Sequence, residues 1–170
     1  MAKLKILTFP DPRLRKVATP VTKFDKGLEI LTSDMLETMY AEEGIGLAAT
    51  QVNIHERVIV MDISEERNEP KIFINPEFKI LNDKSLLSFT EGCLSVPGVT
   101  EDITRPDNIY ITWQDIKGIS HEAEPSGMLT VCIQHEIDHL EGRLFIDYLS
   151  SLKRNIFIKR VKKLKKLGEI

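Results

Sequence analysis

One stretch of the 170-residue chain, residues 128–140, constrains its fold more than any other. Met128, Leu129, Val131, Cys132, Ile133, Ile137 and Leu140 leave little polar face on a helix, and Pro125, Gly127 and Gly142 punctuate its two ends. Such a helix is largely buried. It nevertheless contains His135-Glu136-Ile137-Asp138-His139. Two imidazoles and two carboxylates inside apolar surroundings are costly unless they pair or ligate something. The i, i+4 spacing puts both histidines on one face, one turn apart, where they can bind one metal ion. Glu136 lies one residue round the helix, in reach of a water beside that ion, and is placed to act as a general base.

A catalytic tetrahedral site takes three protein ligands and keeps one open position. Downstream of His139 only Glu141, Asp147 and Glu169 could donate. Glu141 is too close on the same helix to converge easily and Asp147 is a weak candidate; either as third ligand would make a zincin-type metallopeptidase. Upstream stands Glu91-Gly92-Cys93-Leu94-Ser95-Val96-Pro97-Gly98. The glycines and proline around Cys93 predict an irregular backbone that can aim its thiolate, a strong ligand for borderline metals. The competing reading of a free cysteine is a small buried hydrophobe, which suits Cys132 better than Cys93.

The rest of the chain reads as α+β. Leu28, Leu31, Met35, Leu36 and Met39 recur at helical spacing and predict a helix over 25–41, capped by Asp25. Strands are expected at 58–61, 71–74, 78–81, 109–113 and 119–123, with Asn75-Pro76 stopping the second. A third helix is expected at 149–167. Strands in the middle and helices at the ends, without βαβ alternation, imply mainly antiparallel pairing in one domain. Two cysteines exclude a disulfide-held scaffold, and no apolar run approaches the ~20 residues of a membrane span. The short apolar N-terminus does not read as a signal peptide, so a cytoplasmic protein is expected. The overall charge of −3 hides an asymmetry, because residues 153–170 carry eight lysines and arginines against one glutamate, leaving −10 on the rest. A basic helix of that kind suits a polyanionic partner, and a non-enzymatic ribosome- or RNA-binding protein is a further reading.

Three segments stand in order: Gly44-Ile45-Gly46-Leu47-Ala48-Ala49-Thr50-Gln51, Glu91-Gly92-Cys93-Leu94-Ser95 and Gln134-His135-Glu136-Ile137-Asp138-His139. Together they resemble the three signature motifs of bacterial peptide deformylases, and the resemblance runs from Leu7 to about Ser150. It implies an α+β fold with the motif helix held between antiparallel sheets. It implies hydrolysis of the formyl group from N-terminal formylmethionine of new polypeptides, releasing formate.

The resemblance assigns Cys93, His135 and His139 as metal ligands, Glu136 as base, and the Gln51 side chain with the Leu94 N–H as oxyanion donors. The implied ion is Fe²⁺, with Zn²⁺, Ni²⁺ and Co²⁺ also suited to the set. The segment with Gly44 and Gly46 is expected to pair with the substrate as an added strand. Ile45, Leu129, Cys132 and Ile133 are expected to line a methionine pocket, although core packing explains the last three as well. Arg105 is expected near the substrate path or on a solvated loop. The basic helix resembles a C-terminal extension that contacts the ribosome. No membrane or DNA partner is expected, and the chain is expected to be a monomer.

Overall fold

The computed structural model describes residues 2–169. Asp25 accepts a hydrogen bond from the Leu28 N–H and starts helix α1, Lys26–Ala41. Strands β1 (Gly46–Ala48), β2 (Val58–Met61), β3 (Lys71–Cys93), β4 (Val96–Gln114) and β5 (Ser120–Ala123) follow in order. Helix α2 spans Met128–Leu140, and helix α3 spans Ser151–Lys166. The strands form one antiparallel sheet in the order β1-β2-β3-β4-β5, with β1 and β5 at its edges.

The unbroken apolar run of β2 is explained by its position between two packed faces. Val58 and Val60 point to one side, where they meet Leu28, Met35 and Met39 of α1. Ile59 and Met61 point to the other side and join Phe73, Ile109 and Ile111 against Cys132, Ile133, Ile137 and Leu140 of α2. Residues 130–140 of α2 are all buried. A third cluster gathers the N-terminal Leu7, Phe9 and Leu14, the hairpin residues Val96, Val99 and Ile103, and Val161 of α3.

One sequence expectation is corrected here and one is met. Asn75-Pro76 does not end a strand. The chain bends there, with Asn75 at φ +50 and a register shift between Ile74 and Glu77, and β3 continues to Cys93. The Asn75 side chain stabilises the bend by accepting from the Val21 N–H at 2.8 Å and donating to the Val21 carbonyl at 3.0 Å. The backbone around Cys93 is irregular, as its glycine-proline context suggests, with the ladder register shifting between Gly92 and Cys93. Cys93 pairs with Val96 across a two-residue loop, and the irregularity lies opposite, where Pro97 to Val99 bulge out of β4.

Candidate active site

Three segments meet beneath the edge strand β1. The end of β3, at the turn into β4, delivers Cys93, α2 delivers both histidines and Glu136, and a 3-10 turn after β1, Ala49–Val52, delivers Gln51. Cys93 Sγ lies 3.2 Å from His139 Nε2, which lies 3.2 Å from His135 Nε2. The three donor atoms fall within 4.8 Å of one another. A tetrahedral ion with bonds of about 2.1 Å to nitrogen and 2.3 Å to sulfur would set its ligands roughly 3.3–3.6 Å apart, so the set fits one small divalent cation. Two polar atoms of the site, Glu136 Oε2 and His139 Nδ1, are buried without a protein partner. Asp147 and Glu141 are engaged elsewhere, with Arg15 at 2.6 Å and Arg57 at 2.5 Å.

Burial and neighbouring charge set the protonation of these groups. Burial raises the Glu136 carboxyl to about 7, against the ordinary 4.5. Burial and the adjacent His135 push His139 well below the usual imidazole value. Burial opposes charge on His135, but hydrogen bonds to Cys93 and Glu91 outweigh it and raise His135 well above that value. Burial likewise drives the Cys132 thiol up to about 12, which keeps it neutral and apolar.

Gly46 is a glycine because of Glu136. A Cβ at this position would stand 2.5 Å from Glu136 Oε1. The amide of Gln51 is fixed at both ends: Oε1 accepts from the Ala48 N–H at 2.9 Å, and Nε2 lies 3.1 Å from Ser95 Oγ and 3.6 Å from Cys93 Sγ. Leu94 occupies the hairpin loop, and its side chain covers Gly44. A cavity of about 550 Å³ opens from this point. One wall is Gly44, Ile45 and Gly46; the other is Phe89 to Gly92 and Val96 to Thr100; its floor is Met128, Val131, Cys132, His135 and Glu136.

Cys93, His135, His139, Glu136, Gln51, Leu94, Gly44, Ile45, Gly46 and Cys132 are therefore brought together. Two expected pocket residues, Leu129 and Ile133, are not. Leu129 packs against the sheet core, and Ile133 is 1% exposed within that core. In their place Met128 and Val131, on the adjoining stripe of the helix, face the cavity.

Arg105 lies neither in the cavity wall nor on a solvated loop. It is 3% exposed on β4, where Nε and Nη2 donate to Glu91 at 2.7 and 2.9 Å and Nη1 donates to Asp138 at 2.9 Å. Burial favours the protonated form of Glu91, but Arg105 and His135 outweigh it and hold Glu91 below the ordinary carboxylate range. Glu91 in turn accepts from His135 Nδ1 at 2.8 Å, leaving Nε2 turned toward the ligand cluster. The pairing of Asp138 was foreshadowed only by the cost of an unpaired acid inside a buried helix, and nothing in the sequence pointed to Glu91 as a partner of His135.

A thiol and two imidazoles converging on one point, next to a buried carboxylate and an open cavity, define a metallohydrolase built on H-E-x-x-H. The sequence matches the profile of the family described as polypeptide deformylase over residues 3–155. It is 56% identical over 164 residues to a peptide deformylase of Stutzerimonas stutzeri, covering 96% of this chain and 97% of the relative. It is 53% identical over 163 residues to one of Pseudomonas aeruginosa, covering 96% of each. The fold is similar to the crystal structure of a peptide deformylase from Legionella pneumophila (TM-score 0.91, 42% identity, 99% of this chain and 98% of that one). It is also similar to that of the Ehrlichia chaffeensis enzyme in complex with actinonin (TM-score 0.89, 41% identity, 96% and 98%). The chain belongs to the polypeptide deformylase family.

Proposed function

We propose that this enzyme removes the formyl group from N-terminal formylmethionine of newly synthesised polypeptides, through Cys93, His135 and His139 as ligands of one divalent ion and Glu136 as base. The observation that carries this assignment is the convergence of the three donor atoms within 4.8 Å, beside a carboxyl raised to about 7. When bound, the ion supplies Lewis acidity and makes the attacking water acidic enough to ionise near neutral pH.

Everything else is done by the chain. Glu136 takes a proton from the water and returns it to the leaving amine, a task suited to a group that titrates near the working pH. The Gln51 Nε2 and the Leu94 N–H donate to the oxyanion that develops on the formyl carbon; the Ala48 N–H holds the Gln51 amide in place through Oε1, and Nε2 exchanges its long contact to Cys93 Sγ for the oxyanion. The peptide adds along the outer edge of β1 from Gly46, with Gly44 and Ile45 leading into that strand, so the enzyme reads it mainly through its backbone. The methionine side chain enters between Ile45, Met128, Val131 and Cys132.

The native ion is Fe²⁺ in this proposal, supported by the family resemblance and by a thiolate–imidazole set that accepts Fe²⁺, Ni²⁺, Co²⁺ and Zn²⁺ alike. Activity prepared anaerobically should then decay in air and be spared by Ni²⁺ exchange. Release of formate from formyl-Met-Ala-Ser, with metal analysis of the same anaerobic sample, tests the assignment. Metal-loaded protein that releases no formate overturns it.

No helix among the described residues is long and apolar enough to cross a membrane. The enzyme acts as a cytoplasmic monomer in this proposal and meets its substrate at the ribosome. Helix α3 docks through Phe157, Ile158 and Val161 and leaves Lys159, Arg160, Lys162, Lys163 and Lys166 exposed. Changing Lys159, Lys163 and Lys166 together to Glu should weaken ribosome co-sedimentation at low salt while leaving turnover of short formyl peptides intact. Unchanged co-sedimentation removes the ribosome from this account.

A further inference from the structure

His135 is held from two directions by one turn of chain. A 3-10 turn, Phe145–Tyr148, connects α2 to α3. The Phe145 ring lies 6.2 Å from that of His135 at an interplanar angle of 27°, stacked on it. Phe145 is itself immobilised in the cluster of Leu14, Val96 and Val161. Tyr148 reaches the same histidine through three intervening side chains. Its hydroxyl donates to Asp138 Oδ2 at 2.7 Å, the oxygen that also accepts Arg105 Nη1 at 2.9 Å. Arg105 grips both oxygens of Glu91, and Glu91 Oε1 holds His135 Nδ1 at 2.8 Å. The Tyr148 ring also lies against the guanidinium, with Arg105 Cζ 4.8 Å from the ring centroid.

We propose that Tyr148, together with Phe145, is a positioning residue for His135, and that this turn sets the orientation of the imidazole for its metal. The proposal rests on the reading of Cys93, His135 and His139 as ligands. The physical argument concerns one guanidinium shared by two acids. Arg105 divides its donors between Glu91 and Asp138. The Tyr148 hydroxyl partly satisfies Asp138, which reduces the pull of that carboxylate on Arg105 and leaves the two-pronged grip on Glu91 undisturbed. The tyrosine ring fixes the plane of the guanidinium by stacking on its face. Without these contacts Arg105 can tilt toward Asp138, Glu91 loosens, and the His135 ring is free to turn about its last torsion. Outer partners of metal-bound histidines typically contribute about 10–100-fold to affinity. Tyr148 does not line the cavity and is half exposed, so direct contact with substrate plays no part.

The test uses full-length Tyr148→Phe and Tyr148→Ala proteins. Zn²⁺ affinity is measured by competition with a chelator, the Co²⁺-substituted proteins are compared by visible absorption, and the melting temperature of each metal-free protein is recorded. Loss of the hydroxyl alone should weaken Zn²⁺ binding about fivefold, the worth of one hydrogen bond. Loss of the ring as well should weaken it about 10–100-fold and alter the Co²⁺ spectrum, with KM for a formyl peptide unchanged. Tyr148→Ala protein that binds Zn²⁺ within twofold of the parent overturns the proposal. So does weakened binding that merely tracks a lowered metal-free melting temperature while the Co²⁺ spectrum stays the same. A parent protein that binds no Zn²⁺ overturns the ligand assignment itself.

Discussion

Gly46→Ala offers a narrow test of how closely the edge strand is fitted to the base. The new methyl carbon would stand 2.5 Å from Glu136 Oε1, 3.0 Å from its Cδ and 3.1 Å from its Cγ. A relaxed carbon–oxygen contact needs about 3.3–3.6 Å. Something must therefore retreat by roughly 0.8–1 Å. Strand β1 is buried and paired through Gly46↔Met61, so the backbone is the stiffer partner. The carboxylate is the part that yields, since Oε2 has no protein hydrogen bond to hold it. Misplacing a reacting group by about 1 Å costs about 10²-fold in rate, equivalent to about 2.7 kcal/mol of barrier. The expectation is a kcat lowered about 100-fold in a formate-release assay, with metal content and melting temperature close to those of the parent. A kcat within threefold of the parent would refute the argument. So would a lost kcat accompanied by equally lost metal, because the strand and not the base would then have moved.

Three other outcomes follow from the same geometry. Cys93→Ser replaces a soft thiolate by a weakly ligating hydroxyl and should lower Zn²⁺ affinity by more than about 100-fold, read by chelator competition. Glu136→Gln should retain the metal while losing about 10²–10⁴ in kcat. The parent's kcat/KM should correspondingly fall on the acid side of about 7 as Glu136 takes up its proton, at a lower pH than in the metal-free protein because the cation favours the carboxylate, and that limb should vanish from the residual activity of the Gln variant. Glu136→Gln should also stabilise the metal-free protein above pH 7. The folded carboxyl titrates near 7 and the unfolded one near 4.5, so between those values the folded state holds the extra proton and stability falls as pH rises. That gap corresponds to about 3 kcal/mol at about 1.4 kcal/mol per tenfold, and the gain should disappear below pH 4.5 in paired melts.

Helices were the legible part of the fold. Periodicity and capping placed α1 within one residue, α2 at both its ends and α3 within two residues, because each has one dominant partner surface. The stretch 82–108 was not legible. It forms a two-stranded ribbon whose outer edges are unpaired, and burial alternates along it over 84–91, but residue type does not follow: Leu86 is on the exposed face, and the charged Glu91 and Arg105 are buried. Asn75-Pro76 misled for a specific reason: the side-chain amide of Asn75 takes over the bonding at a bend that a proline would otherwise signal as a stop. At the site, the convergence of Cys93, His135 and His139 beside Glu136 was readable because their spacing is chemical. Arg105 was misplaced because its two partners come from positions 14 and 33 residues away, which no local pattern records. Leu129 and Ile133 were misassigned because one apolar helix presents several stripes, and only packing decides which stripe faces the cavity.

The donor atoms of Cys93 and His139 come from residues 46 apart in sequence. An ion held by the proposed ligands therefore cannot be captured by any early piece of the chain. During its own synthesis the polypeptide must emerge beyond His139, and the ribbon must have closed onto α2, before three ligands coexist. Metal loading is thus a late event that reports on completed folding, and a fragment that stops short of α2 is a thiol without a centre.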